Sequence, residues 1–109
     1  MKYQVSLSLE AHMDLRELFL YISVVLQAPA TAKSFLQKIY KGIYSLDEFP
    51  ERYKLFAGLK KYGLQCRQMP INSFVVIYIV DKDKVIILRI IYGKRDLEKQ
   101  FSYLHVIHE

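Results

Sequence analysis

The run Val85-Ile86-Ile87-Leu88-Arg89-Ile90-Ile91-Tyr92 leaves this chain few folds to choose from. A strand with one wet face alternates polar and apolar residues, and this one is apolar at every position but Arg89. Such a strand must be covered on both faces, which makes it a central strand. Just before it, Phe74 to Val80 is β-branched and aromatic, and Asp81-Lys82-Asp83-Lys84 supplies the polar turn of a hairpin. A shorter strand signal from Gln65 to Pro70 precedes these, so the second half of the chain reads as an antiparallel meander.

The cover comes from the first half. Tyr3 to Leu7 alternates polar and apolar residues and then meets Ser8, a good N-cap, with Glu10 in the following first turn. Ala11, Leu15, Leu18, Ile22 and Leu26 recur at helical steps, with Phe19 beside them, leaving Glu10, Asp14, Arg16 and Glu17 for water. Gln27-Ala28-Pro29 breaks this helix, and Pro29 suits the first turn of the next, whose stripe is Ala32, Phe35, Leu36, Ile39, Ile43 and Leu46. The short break predicts an αα-hairpin. Phe49-Pro50-Glu51-Arg52 ends the second helix, residues 52–64 read as a loop with room for a helical turn, and Arg95–Leu104 reads as a short terminal helix after Gly93.

The order is thus β-α-α-β-β-β-α, an α+β domain with the helical hairpin packed on one face of a mostly antiparallel sheet. The hairpin is long enough to carry the first strand to a parallel place beside a central strand. A chain of 109 residues with no linker or repeat reads as a single domain, 1–109.

Composition narrows the function classes. No stretch of 18 residues is free of charge and polarity enough to span a bilayer, and the first residues lack a secretory leader's apolar core, so a cytoplasmic protein without a membrane role is expected. One cysteine, Cys66, cannot build a disulfide framework or a metal cage, and a buried strand thiol is its simplest reading. His105 and His108 are three apart but stand near the chain end without further ligands, so no metal and no cofactor is expected.

Charge is the most suggestive property. Residues 1–51 carry five basic and six acidic side chains, whereas residues 52–109 carry eleven and five. Arg52, Lys54, Lys60, Lys61 and Arg67 fall in one acid-free stretch, a candidate surface for RNA, DNA or an acidic protein segment. With helices on one sheet face, the other face and its rim are expected to present Arg67, Arg89, Tyr92, Lys94 and Arg95. Arg89 is the most informative, because a cation inside an apolar strand must be paired or face an open groove. Asp81 and Glu98 are candidate partners.

These residues lie in segments that resemble the RelE/ParE superfamily of toxins from bacterial type II toxin–antitoxin modules. The resemblance is carried by Glu10-Ala11-His12-Met13-Asp14-Leu15 with Tyr21-Ile22, by Ser45-Leu46-Asp47-Glu48-Phe49-Pro50-Glu51-Arg52, and by Cys66-Arg67. It continues through Val76-Ile77-Tyr78-Ile79-Val80-Asp81 and Ile87-Leu88-Arg89-Ile90-Ile91-Tyr92-Gly93-Lys94-Arg95-Asp96-Leu97. It runs nearly end to end and implies a RelE/ParE-like fold and a cognate antitoxin that folds onto the toxin.

The resemblance implies two mechanisms. RelE-like members cut messenger RNA on the ribosome without a metal: the ribose 2′-OH attacks the adjacent phosphate, a base removes its proton, an acid protonates the leaving oxygen, and cations stabilise the phosphorane. ParE-like members bind DNA gyrase and have no recognised catalytic residues. Lys94-Arg95 matches the basic pair of the cutting branch, but Val75 stands where that branch keeps an arginine and Phe101 where it keeps a tyrosine. Phenylalanine moves no proton. Cleavage would therefore draw on Arg67, Arg89 and Arg95 for charge and on Tyr92 or Tyr103 for proton transfer, with Arg52, Lys54, Lys60, Lys61 and Lys94 holding RNA or a partner. Asp14-Leu15-Arg16-Glu17-Leu18 with Tyr21-Ile22 looks more like the ParE type. The expectation carried forward is ribosome-dependent mRNA cleavage, with gyrase inhibition as the alternative and an inactive toxin or docking module as the second.

Overall fold

The computed structural model describes residues 2–56 and 65–92. Strand β1 (Gln4–Leu7) leads into helix α1 (Leu9–Leu20), a π-turn (Tyr21–Val25) and helix α2 (Pro29–Tyr44). Two single 3-10 turns, Ser45–Asp47 and Pro50–Arg52, lead to β2 (Leu55–Phe56), β3 (Cys66–Ile71), β4 (Phe74–Asp81) and β5 (Lys84–Tyr92). The sheet order is β1-β5-β4-β3-β2, with β1 parallel to β5 and every other neighbour antiparallel. The α+β architecture, the helical hairpin and the parallel return of the first strand are as the sequence predicts. The expected terminal helix lies outside the described residues.

Local chemistry explains the helix boundaries. The Ser8 hydroxyl accepts the Ala11 N–H at 3.1 Å, which satisfies one of the orphan donors of α1, and Pro29 opens α2 where its missing N–H costs nothing. At the end of α1 the hydrogen bonding widens, with Leu26 N–H donating to Tyr21 O at 3.0 Å. This π-turn changes the helical phase, so Leu26, expected on the buried stripe, is exposed. Of the rest of the hairpin stripe, Ala11, Leu15, Ala32, Ile39, Ile43 and Leu46 are buried, and Leu18, Ile22, Phe35 and Leu36 are partly buried. Gly42 permits close approach of α2 to β3, since a Cβ there would stand 2.6 Å from Ile71 Cδ1.

Two corrections concern the loop and the third strand signal. The segment read as loop contains β2, whose Leu55 and Phe56 pair with Arg67 and Cys66. Pro70 stands inside β3 rather than ending it. It lies beyond the two residues that pair with β2, where a strand tolerates a missing N–H.

The sheet separates two apolar clusters. On the helix side Met69, Val76, Tyr78, Val85 and Ile87 pack with the stripes of α1 and α2. On the other side lie Phe56, Cys66, Val75, Ile77 and Ile91, with Cys66 and Ile77 fully buried. The core thus reaches both faces of β4 and β5, as their continuous apolar runs require. Tyr78 is the largest fully buried side chain, and its hydroxyl donates to Pro50 O at 2.6 Å, tying the second 3-10 turn to the middle of the sheet.

Burial raises the Tyr78 phenol from 10.0 to about 12, against the nearby cations Arg67 and Arg52, and raises the Cys66 thiol from 9.0 to about 11. Both groups stay protonated in the native state when the unfolded chain has begun to ionise. Their contribution to stability is therefore full below about pH 9 and is lost as pH rises toward about 12. Thermal unfolding followed over that range should show the decline, and Tyr78→Phe should flatten part of it. At neutral pH the same variant strands the Pro50 carbonyl and should cost about 1–2 kcal/mol in denaturant melts.

Candidate functional site

Among the described residues, the cations nominated from sequence do not converge on one reaction centre. Arg67 alternates with Cys66 and pairs with Tyr78, which places it on the helix side of the sheet instead of the expected opposite face. Its guanidinium donates to Tyr53 O at 2.7 Å and Glu51 O at 3.2 Å and stands 3.5 Å from the Glu51 carboxylate. Arg52 meets the same segment. It donates to Glu48 O at 2.6 Å, Phe49 O at 3.1 Å and Ser45 Oγ at 3.0 Å, and it covers the Tyr53 ring at 4.9 Å. These bonds satisfy carbonyls at the end of the α2 region and hold Phe49 in a left-handed conformation, φ 50°. The two arginines are thus brought together, but around backbone carbonyls and a carboxylate.

Arg89 is engaged elsewhere. A β-bulge sets Ile77 and Tyr78 of β4 against Arg89 and Ile87 of β5, leaving Leu88 as the extra residue. Strand β1 ends at Leu7, so among the described residues no strand lies beside the outer edge of β5 beyond Ile87. Side chains of the α1 region take that place. Ser8 donates from its hydroxyl to Leu88 O at 2.9 Å, and the Asp14 carboxylate accepts the Ile90 N–H at 2.9 Å. The same carboxylate receives Arg89 in a fork, Nε to Oδ2 at 2.8 Å and Nη2 to Oδ1 at 2.9 Å.

The partner of Arg89 is therefore Asp14, not Asp81, and Glu98 lies outside the described residues. Asp14, assigned to water by the helical pattern, keeps only 14% of its side chain exposed and Arg89 keeps 17%. The hydrogen bond that Arg89 donates to Asp14, opposed by burial and reinforced by the carboxylate's charge, raises the guanidinium's pKa further.

Of the other nominated residues, Lys54 is exposed and Tyr92 ends β5 opposite Phe74. Lys60, Lys61, Lys94, Arg95 and Tyr103 lie outside the described residues, as do His105 and His108. Val75, at the position where an arginine would serve cleavage, is 97% buried in the second apolar cluster.

Sequence reasoning missed a groove of about 690 Å³ where the hairpin meets the end of the sheet. Leu18, Tyr21, Leu26 and Phe35 line it from the helical side and Phe74 and Ile90 from the sheet, with Asp14 and Glu17 as its acidic members. Phe35 meets Phe74 edge-on, with ring centroids 5.0 Å apart. The signal was present in Leu26 and Tyr21, but their exposure depends on the π-turn. The groove is apolar and acidic, the opposite of a phosphate grip. Among the described residues no helix is long and apolar enough to cross a membrane.

A two-helix hairpin on a five-stranded sheet whose first strand returns in parallel defines the RelE/ParE class of toxin folds. The family described as "ParE toxin of type II toxin-antitoxin system, parDE" matches residues 5–97, and the chain belongs to that family. A solved structure titled "Chromosomal ParDE TA system from P. aeruginosa" is similar in fold, with a TM-score of 0.69 at 18% identity over 85% of this chain and 98% of that one. No curated protein matches the sequence.

The Asp14 clamp generates a direct prediction. Asp14→Ala leaves the largely buried Arg89 side chain without its partner and the Ile90 N–H without an acceptor, and should cost about 2–4 kcal/mol in denaturant unfolding. A double-mutant cycle with Arg89→Ala should give a combined loss well below the sum of the two. Additive losses would mean that the fork contributes nothing to stability.

Proposed function

We propose that this ParE-family toxin arrests bacterial growth by binding a protein target, DNA gyrase, and that a cognate antitoxin neutralises it. The observation that carries this reading is the engagement of Arg67 and Arg89 with carbonyls and carboxylates of their own chain. A phosphorane-stabilising arginine must have donors to spare for phosphate oxygens. The burial of Val75 argues in the same direction, since no phosphate contact can be made from inside the second cluster. The exposed surface is instead rich in large apolar side chains, Tyr21, Val24, Val25, Leu26 and Phe49 among them. Apolar and aromatic side chains of this kind suit the core of a protein interface. Ribosome-dependent mRNA cleavage is the competing reading, and it would rest on Lys94, Arg95 and Tyr103.

Brief induction of the chain in bacteria lacking antitoxin, followed by pulse labelling, distinguishes the two. Early loss of thymidine incorporation with continued translation and filamentous cells is the expected result. Rapid loss of amino-acid incorporation, with cuts mapped inside reading frames, would overturn it in favour of the nuclease. Normal growth would mean a docking module without toxicity. Co-expression of the antitoxin encoded beside the toxin gene should abolish the arrest.

A further inference from the structure

Helix α1 is apolar on two faces, and among the described residues only one is used within the chain. Ala11 and Leu15 are buried against the sheet, whereas Leu9 is 71% exposed, Met13 53%, Leu20 46% and Val24, in the following π-turn, 65%. At 3.6 residues per turn, Leu9, Met13, Arg16, Glu17 and Leu20 fall within an arc of about 100° on the outer face. The apolar steps of four, seven and four residues are those of a coiled-coil seam, with charge at its centre.

The order along the seam reads as its own complement. Leu9 and Val24 are equally distant in sequence from the midpoint between Arg16 and Glu17, and so are Met13 and Leu20. If the face meets itself in antiparallel sense, Leu9 lies against Val24 of the second copy, Met13 against Leu20, and Arg16 against Glu17. The Arg16–Glu17 pair then has opposite sign and occurs twice, because a two-fold interface repeats every contact. A parallel arrangement would put Arg16 beside Arg16 and Glu17 beside Glu17. The face also lies in the half of the chain with almost balanced charge, five basic against six acidic side chains, so the positive half does not oppose the approach.

We propose that the occupant of this face is a second copy of the same chain, paired through α1 about a two-fold axis between Arg16 and Glu17. The seam from Leu9 to Val24 spans about 22 Å at 1.5 Å per residue, enough for several interdigitated side chains on each helix. The proposal is independent of the toxin's target.

Sedimentation equilibrium of the purified full chain across a concentration series tests it. The wild type should form a dimer. Arg16→Glu and Glu17→Arg each turn both attractive pairs into repulsive ones and should each raise the dimer dissociation constant about tenfold or more. The double variant R16E/E17R restores opposite charges in reversed order and should return the constant to near the wild-type value. Circular dichroism on each variant checks that the fold is intact, both positions being exposed. A wild-type chain that stays monomeric to its solubility limit overturns the proposal, as does a dimer indifferent to either single swap or not rescued by the double one. A monomer whose antitoxin binding is lost on Met13→Asp would assign the face to that partner and also overturn it.

Discussion

One carboxylate joins the two halves of this protein. Asp14 stands on the first helix, yet it accepts the Ile90 N–H and both arms of the Arg89 fork on the last described strand. The need for it arises from topology. A parallel first strand of four residues covers less than half of the nine-residue strand it joins, and the uncovered backbone edge must find other partners. Ser8 and Asp14 supply them, with Ser8 serving at once as helix cap and as donor to the bulged Leu88. The end of β1, the start of α1 and the bulge in β5 are therefore one construction.

The same economy governs the cations around the second 3-10 turn. Arg52 and Arg67 hold carbonyls on either side of Pro50, while the buried Tyr78 hydroxyl holds the Pro50 carbonyl itself. A short, irregular segment is thereby fixed by three side chains from outside it. Guanidinium groups are suited to this work because their several donors reach several carbonyls at once. Large apolar side chains stay exposed on the outer face of α1, in the π-turn and at the rim of the groove beside it. In this family toxin Arg52 and Arg67 are engaged by the backbone of their own chain.

Much of this was legible in the sequence because it depends on local pattern. The Ser8 cap, Pro29 at the start of α2, the stripe from Ala32 to Leu46 and the turn at Lys82-Asp83 all follow from short-range periodicity and backbone preference. The exposure of Leu26 was not legible, since an ideal helix extrapolated through Tyr21–Val25 gives it the wrong phase. Nor was β2, where two residues pair only because β3 lies beside them.

The segments that carry the family resemblance also contain the residues on which sequence reasoning went astray. The apolar run around Arg89 requires that cation to be paired or to face an open groove, whereas nothing comparable constrains Arg67. The choice between those states rests on what another segment presents. Asp14 and Arg89 are 75 residues apart, and nothing in the neighbourhood of either announces the other. The sequence by itself determined the helical hairpin, the β3–β5 meander and the two-sided burial of β5, because hydrophobic period, capping and turn chemistry act over a few residues. Only the tertiary structure decided which charges are spent on the fold and which faces stay open, because a hydrogen bond across a sheet edge exists only once both strands and the helix are in place.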